Sequence, residues 1–282
     1  MFLSVIIPTF KRLETLSICL RHLTPETQNL SLDFFEVIVT DDAIDNDTLD
    51  SLSRNYPWVH YNRGPQKGPA ANRNSGANSA RGEWLIFLDD DCLPQPSFLP
   101  AYVEAIRKNP DYFVFEGCTL AERPRIRLDE EAPLNNQGGF LWSCNFLIKR
   151  KLFLDLGGFC ELYPYACMED VDFREQLKEK DIKFLFVPKA SVIHPWRSLS
   201  PDDKYLKIHL ISHAVFLNRY PMLRPSFHGT CRLVFKLLLH GLLVEAPRLK
   251  FRGLRRYVVR LSTVIRCQFL IWSGINREQP SK

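Results

Sequence analysis

The sequence predicts an α/β protein with a largely parallel β-sheet, followed by a helical carboxyl-terminal region. Two observations indicate this fold class. Residues 1–110 alternate between short apolar runs rich in β-branched residues and segments whose apolar residues recur at helical spacing. Such alternation favours right-handed crossovers and parallel pairing of the strands. Residues 201–282 lack the strand pattern and are apolar with interleaved basic residues.

The elements of the first half are predicted in close succession. We expect strands at 2–10, 34–42 and 84–91, and helices at 12–23, 47–56, 68–82 and 97–108. Pro69 suits the first turn of its helix, and Gly82 suits its end. Because each strand is a nearly continuous apolar run, the sheet should be covered on both faces.

The pattern changes after residue 109. Strands are expected at 112–120, within 138–153 and within 182–195, with a polar loop at 121–137 and a helix at 169–180. In the last region the pattern predicts a helical hairpin broken near Pro247.

Composition limits the cellular location. The eight cysteines are scattered without metal-ligand or disulfide spacing, which indicates reduced, mostly buried thiols in a cytoplasmic compartment. No signal sequence is expected, since residues 2–7 already have a strand pattern. No apolar run is expected to reach the length of about 18 residues that a membrane span needs.

The net charge of +5 conceals a division along the chain. Residues 201–282 hold 15 Lys and Arg against 4 Asp and Glu, a net of +11, so residues 1–200 carry −6, from 22 against 28. The basic residues are concentrated in the second arm of the hairpin, at Lys250, Arg252, Arg255, Arg256 and Arg260. A basic amphipathic helix is typical of a surface that binds anionic lipid. Alternatively, these helices pack on the rest of the protein with their arginines in water. Nucleic acid is not an expected partner, because no recognition motif accompanies the charge.

Acidic residues follow two strands of the predicted sheet. Asp41 and Asp42 end one strand, and Asp89, Asp90 and Asp91 end another. A parallel sheet binds ligands outside the carboxyl ends of its strands. Five carboxylates at one edge repel one another unless a cation joins them, which suggests Mg²⁺ or Mn²⁺ with a diphosphate ligand. The alternative is a turn, where aspartate is also common.

Several motifs occur in a fixed order: "LSVIIPTFKR", "EVIVTDDAIDN", "GPAANRNSGANSARGEWLIFLDDD", "GGF", "ED" and a late histidine. In this order and spacing they resemble the inverting GT-A glycosyltransferases of family 2. The resemblance implies a Rossmann-like mixed sheet flanked by helices in residues 1–200. Its nucleotide-binding half would be 1–110 and its acceptor-binding half 111–200, with 201–282 as a basic helical appendage.

The resemblance also implies a donor site. The residues expected to bind the nucleotide are Pro8, Thr9, Phe10, Arg12, Asp41, Asp42, Arg73, Asp89 and Asp90. A divalent metal, Mn²⁺ or Mg²⁺, would be held by Asp91, Asp89 and His194, although a histidine at the end of a strand can also be structural. The donor would be a UDP-, GDP- or dTDP-sugar. Ala43, where the family often has glycine, leaves the base open.

By the same resemblance Asp170 is the catalytic base, supported by Glu169. An inverting transfer needs one carboxylate to take the proton of the acceptor hydroxyl. Alternatively, both acids only complement the dipole at a helix start. The resemblance also predicts an acceptor wall, where Gly138 and Gly139 allow close approach and Trp142 offers a stacking face. A core tryptophan beside a tight turn is the alternative.

These motifs predict an enzyme that transfers a sugar from a nucleotide-sugar to a hydroxyl of a glycan, glycolipid or polysaccharide, as in cell-envelope synthesis. It would act in the cytoplasm or at the inner face of a membrane. One rival is a nucleotidyltransferase, but "PTFKR" stands where those enzymes have a Gly-rich loop. The other rival is an inactive sugar-nucleotide- or glycan-binding protein, which the intact acidic motifs disfavour.

Overall fold

The computed structural model describes residues 2–199 and 202–274. It divides into two compact units. The first unit comprises residues 1–122 and 133–195, and the second comprises residues 123–132 and 196–282. Part of the expected polar loop at 121–137 therefore belongs to the second unit. The predicted boundary between residues 200 and 201 lies outside the described residues.

The described strands are β1 (Leu3–Thr9), β2 (Phe35–Asp41), β3 (Val59–Arg63), β4 (Trp84–Leu88), β5 (Leu93–Pro94), β6 (Val114–Ala121), β7 (Glu130–Glu131), β8 (Asn145–Lys149), β9 (Leu185–His194) and β10 (Arg197–Ser198). Eight of them form one sheet in the first unit, in the order β3-β2-β1-β4-β8-β6-β9-β5. Strands β3, β2, β1 and β4 are parallel neighbours, whereas β8 is antiparallel to both β4 and β6. The sheet is therefore mixed, as the family resemblance implies.

Both faces of the sheet are covered. In β1, Val5 and Ile7 pack into one hydrophobic cluster, while Ile6 packs into another on the opposite face. All three are fully buried. This alternation follows from the pleat of a strand, which points successive side chains to opposite faces. It also explains why the strands are continuous apolar runs in the sequence.

The described α-helices are α1 (Leu13–Arg21), α2 (Pro25–Gln28), α3 (Asp47–Asn55), α4 (Pro69–Ser79), α5 (Phe98–Lys108), α6 (Arg150–Asp155), α7 (Glu169–Glu179), α8 (Asp202–Arg219), α9 (Phe227–Leu239), α10 (Ala246–Arg248) and α11 (Leu254–Ser273). A 3₁₀ turn lies at Pro221–Leu223, and a π-helical turn at His240–Glu245 joins α9 to α10. Five of the eight cysteines, Cys19, Cys92, Cys118, Cys144 and Cys267, are buried.

Three local expectations differ from the structure. Strand β3 was not expected, because its residues Val59–Arg63 are mostly polar and only partly buried. Helix α6 occupies the end of a segment expected to be a strand, and its basic start at Arg150 and Lys151 marks the exit from the sheet. Helix α3 ends at Asn55, one residue before the expected end at 56.

The second unit contains β7 paired antiparallel to β10, and the helices from α8 onward. Its small core includes Leu128, Ala246 and Leu249. The expected hairpin is present, and its arms are separated at 249–253, where Lys250, Phe251 and Gly253 adopt positive φ angles.

One helical segment in this unit, Phe227–Arg248, is long and apolar enough to cross a membrane by length and composition. This segment was not expected, because no apolar run in the sequence was predicted to reach the length of a membrane span. The two basic residues Arg232 and Lys236 interrupt the apolar pattern in the sequence, but the helix continues through them.

Candidate active site

Helix α4 buries a polar face. Asn72, Arg73 and Asn74 are consecutive and nearly inaccessible to solvent. Asn72 donates to the backbone carbonyls of Thr9 and Thr40, and Asn74 donates to that of Phe159. Because a buried polar group is costly unless it is hydrogen-bonded, these contacts fix the helix against the ends of β1 and β2 and the loop after α6.

A glycine lets α4 approach the sheet closely. A Cβ atom on Gly76 would lie 2.5 Å from Ile6 Cγ2, closer than van der Waals contact allows. Only glycine therefore fits without displacing the strand.

Arg73 joins two acidic segments that lie far apart in the sequence. Its guanidinium donates to Asp89 Oδ1 at 2.7 Å and to Glu169 Oε1 at 3.0 Å. Burial lowers the pKa of Arg73, but the charges of Asp89 and Glu169 outweigh this and raise it. The arginine therefore remains a fixed positive charge between the aspartate cluster after β4 and the start of α7.

Arg12 pairs with the other two aspartates of the cluster. Its guanidinium forms an ion pair with Asp90 at 3.0 Å and another with Asp91. Thr9 donates a further hydrogen bond to Asp90 at 2.7 Å. Burial raises the pKa of Asp90 to about 7, although Arg12 and Thr9 oppose this effect.

These pairs correct one expectation about the acidic edge. Asp89, Asp90 and Asp91 were expected to need a bound cation because they would otherwise repel one another. The structure instead pairs them with Arg12 and Arg73, whose side chains provide the compensating positive charge. The sequence did not reveal this, because both arginines reach the cluster from other elements.

Asp91 and His194 offer donor atoms suited to a divalent cation. His194 is fully buried, and its Nε2 lies 3.5 Å from Asp91 Oδ1. Its Nδ1 lies 2.7 Å from the carbonyl oxygen of Pro195, to which it can only donate. A neutral ring therefore carries its lone pair on Nε2, which faces Asp91. Donation of the other ring N–H to a backbone carbonyl is typical of metal-ligating histidines.

Cys92 lies within 4.8 Å of these donor atoms but is a poorer ligand. A hydrogen bond to Cys144, together with burial, raises the pKa of the Cys92 thiol, so it stays protonated. The carboxylate and imidazole fit Mn²⁺ or Mg²⁺ better than a thiol does. Asp89, also expected to be a ligand, lies outside this group and is bonded to Arg73.

The second-strand aspartates organise loops. Asp41 Oδ1 accepts from the backbone N–H of Ala43, and Asp42 accepts from those of Gln66 and Gly68. Burial raises the pKa of Asp42, although the two backbone bonds lower it. Of the other residues expected at the nucleotide, Phe10 is largely exposed and Pro8 half-buried at the end of β1. Their roles in binding the base remain predictions.

Asp170 and Glu169 begin α7 and differ in environment. Glu169 is buried against Arg73, whereas Asp170 is half-buried. Burial raises the pKa of Asp170, opposed by hydrogen bonds from the backbone N–H groups of Ser143 and Val171. Burial and the charge of Asp170 raise the pKa of Glu169 to about 7, although Arg73 opposes this. The pair thus combines one buried carboxylate bonded to an arginine with one half-buried carboxylate.

Glu116 shapes the expected acceptor wall. Its fully buried carboxylate accepts from the consecutive backbone N–H groups of Gly139, Phe140 and Leu141, and from the Asn135 side chain. Glu116 was not among the residues expected at the site. A signal was available, since Glu116 is the only charged residue in an otherwise apolar strand segment.

The wall itself carries two aromatic rings. Trp142 stacks on Phe140 with ring centroids 5.2 Å apart and planes 18° apart. Gly138 and Gly139 adopt φ angles of +82° and +99°, which favour glycine. Trp142 is half-buried and also packs against the core, so both interpretations of this tryptophan have support. Ser143, one residue further, contacts Asp170.

Comparison with known families and proteins agrees with this geometry. The family model described as "Glycosyl transferase family 2" matches residues 4–157. A curated relative from Campylobacter jejuni, "GalNAc(5)-diNAcBac-PP-undecaprenol beta-1,3-glucosyltransferase", is 36% identical over 201 residues, covering 68% of this chain and 62% of that protein. An uncharacterized glycosyltransferase from Haemophilus influenzae is 29% identical over 192 residues, covering 63% of this chain and 62% of its own length. This chain therefore spans under two thirds of both relatives.

Two solved structures share the fold. S. aureus TarS in complex with UDP-GlcNAc has a TM-score of 0.56 at 19% identity, covering all of this chain and 93% of that one. GalNAc-T7 with UDP, GalNAc and Mn²⁺ has a TM-score of 0.55 at 18% identity, covering 76% of this chain and 47% of that one. The chain belongs to glycosyl transferase family 2, and the predicted GT-A-like fold with carboxyl-terminal helices is confirmed.

Proposed function

We propose that this member of glycosyl transferase family 2 transfers a sugar from a nucleotide-sugar donor to an acceptor hydroxyl with inversion, and that Asp170 is the catalytic base. The observation that carries this proposal is the continuous arrangement from Asp170 through Glu169 and Arg73 to Asp89. It links the half-buried carboxylate of Asp170 to the aspartate cluster at the carboxyl end of β4.

The proton transfer follows from the environment of Asp170. As the acceptor oxygen bonds to the anomeric carbon, its proton passes to Asp170, and the bond from that carbon to the nucleotide diphosphate breaks. The backbone N–H groups of Ser143 and Val171 orient the carboxylate. The raised pKa of Asp170 makes it a stronger base than an ordinary aspartate. Glu169 is bonded to Arg73 and acts as support.

Asp91 and His194 are proposed to hold a divalent metal, Mn²⁺ or Mg²⁺, because a carboxylate and an imidazole lie 3.5 Å apart there. When bound, such an ion supplies positive charge to the leaving diphosphate. Arg12, already paired with Asp90 and Asp91, provides positive charge from the protein itself. Asp89 and Asp90 are proposed to contact the nucleotide.

For the donor we propose a UDP-sugar, since TarS binds UDP-GlcNAc and GalNAc-T7 binds UDP on the same fold. For the acceptor we propose a lipid-linked glycan, because the Campylobacter relative is named for an undecaprenol-linked one. Phe140 and Trp142 would provide the surface on which its sugars stack. Such an acceptor places the enzyme at the cytoplasmic side of a membrane, where the basic carboxyl-terminal region would meet anionic lipid.

The first experiment measures the melting temperature of the purified protein with UDP, GDP and dTDP and their sugars, with and without Mn²⁺. A ligand that binds only the folded state raises the melting temperature. We expect a shift with UDP ligands that increases with Mn²⁺. No shift with any nucleotide would contradict the proposed donor site.

A second experiment tests the role of Asp170 by measuring the rate of sugar transfer from that donor. Asp170→Asn should lower kcat by about 10²- to 10⁴-fold, because the general base is lost, while the UDP-induced shift remains. Asp155→Asn is the matched control, since Asp155 is an exposed partner of Lys151. Equal kcat values for Asp170→Asn and the control would exclude Asp170 as the base.

A further inference from the structure

The helical segment Phe227–Arg248 has an unusual outer surface. Three of its large apolar side chains, Phe235, Leu239 and Leu243, recur every four residues and are exposed by 62%, 40% and 67%. Exposed apolar side chains are unremarkable when single, but a row of them indicates a surface that contacts something apolar.

A basic row accompanies the apolar one. Arg232, Lys236 and His240 recur at the same interval and are also exposed. No acidic residue occurs in the sequence from Phe227 to Val244. A protein partner would be expected to meet a mixture of charges, whereas uninterrupted positive charge beside apolar side chains complements the headgroups and acyl chains of an anionic lipid leaflet.

The position of the basic residues decides between two arrangements on a membrane. Arg232 and Lys236 lie in the first half of the 22-residue segment, well inside it. If the segment crossed the bilayer, these cations would enter or approach the hydrocarbon, which is costly. If it lies in the plane of the membrane, they stay among the headgroups while Phe235 and Leu239 enter the acyl boundary.

A groove in the same unit offers a second contact for headgroups. It has a volume of about 510 Å³, and its lining includes Arg127, Arg255 and Arg256 beside the exposed apolar Phe251 and Val259. Arg127 is held by Asp129 through two hydrogen bonds, so it is fixed in position. Basic and apolar side chains therefore occur together here as well.

We infer that the segment Phe227–Val244 lies in the plane of an anionic phospholipid leaflet, inserting Phe235, Leu239 and Leu243 while Arg232 and Lys236 contact the headgroups. The inference rests on the proposed use of a lipid-linked acceptor, and it names the residues that hold the enzyme at its acceptor's surface. Vesicle binding and sugar transfer are measured separately, so either proposal can fail alone.

The experiment is sedimentation of the full chain with vesicles of phosphatidylcholine alone or mixed with phosphatidylglycerol. We expect binding to the anionic vesicles that weakens with added salt, and little binding to phosphatidylcholine alone. Arg232→Gln with Lys236→Gln should lower the partition coefficient about 30-fold, since each basic residue near such a leaflet contributes about fivefold. Phe235→Ser with Leu239→Ser and Leu243→Ser should also lower it strongly.

The matched controls carry the same kinds of substitution at exposed positions of the first unit. Lys108→Gln with Lys151→Gln removes two exposed positive charges, and Leu32→Ser with Phe34→Ser removes two exposed apolar side chains. Both should bind vesicles like the unchanged protein. Circular dichroism of every variant checks that the helices are retained.

Three results would overturn the inference. The first is equal binding of the basic-row variant and its control to anionic vesicles. The second is resistance of the bound protein to alkaline extraction, which would indicate a spanning helix. The third is a dimer in solution that the apolar-row variant dissociates while vesicle binding is unchanged, which would assign this face to a second copy of the chain.

Discussion

Helices α4 and α9 depart from the usual distribution of side chains in opposite ways. α4 buries Asn72, Arg73 and Asn74, whereas the surface of α9 exposes Phe235 and Leu239. In α4 each of these three side chains donates at least one hydrogen bond within the first unit, so the helix holds the parts of the candidate site together. In α9, Phe235 and Leu239 remain 62% and 40% exposed among the residues that the structure describes. In this protein, buried polar side chains hold a site together, whereas exposed apolar side chains form a surface that can contact a partner.

The largest expected effect is a loss of stability on removing the charge of Arg73 in α4. Arg73→Met would leave Asp89 and Glu169 buried or half-buried without their counter-charge. Removing one partner of a buried ion pair typically costs about 3–5 kcal/mol. We therefore expect the free energy of unfolding, measured by denaturant titration, to fall by about that amount, and transfer activity to be lost.

Arg107→Met is the matched control for this comparison. Arg107 is exposed at the end of α5, so its replacement should change stability by no more than about 0.5 kcal/mol. Similar denaturation midpoints for the two variants would show that the ion pairs of Arg73 do not stabilise the folded protein.

A smaller effect, on the KM for the acceptor, is expected from changing Glu116, whose carboxylate holds the acceptor wall. Glu116→Gln replaces one acceptor oxygen by an NH₂ group that faces backbone N–H donors. An unsatisfied buried polar group costs about 1–3 kcal/mol, so we expect the KM for the acceptor to rise about tenfold. The KM for the nucleotide-sugar should stay unchanged, because Glu116 lies on the wall and not among the aspartates.

Steady-state kinetics with each substrate varied in turn check this prediction. Glu104→Gln is the control, since Glu104 is exposed and pairs with Lys108 one turn along the same helix. An equal rise in both KM values would argue against a role specific to the acceptor.

The smallest expected effect is that of truncating an exposed side chain of α9 on the free energy of unfolding of the protein. Phe235→Ala should change the free energy of unfolding by no more than about 0.5 kcal/mol, because the side chain is already 62% exposed. Phe87→Ala should cost about 3–5 kcal/mol, since Phe87 is fully buried against Phe146 and Phe153. Denaturant titration compares the two. Comparable losses would mean that Phe235 is covered by a partner in the folded protein.

Much of the first unit could be predicted from the sequence. The strands at Leu3–Thr9, Phe35–Asp41 and Trp84–Leu88 lie where their continuous apolar runs indicated. Pro69 begins α4 as expected, and the Glu169-Asp170 pair begins α7. These features depend on local pattern, because burial on both faces of a strand and the chemistry of a helix start are written in neighbouring residues.

The boundary of the carboxyl-terminal unit was harder to predict. The charge division at residue 200 marked a change in composition, yet residues 123–132 join the second unit across a long sequence separation. Similarly, the helix through Arg232 and Lys236 could not be distinguished by composition from a shorter apolar segment.

The fold class, the family motifs and the positions of the acidic residues along the chain could all be read from the amino-acid sequence. The groups that neutralise these acids became visible only in the folded chain. Arg73 meets Glu169 across 96 residues, Arg12 meets Asp91 across 79, and Glu116 reaches the backbone of Leu141 across 25. Such pairings depend on the order of strands in the sheet and on the depth of burial, because charge compensation is governed by distance in space. Neither quantity is visible in the spacing of residues along one chain.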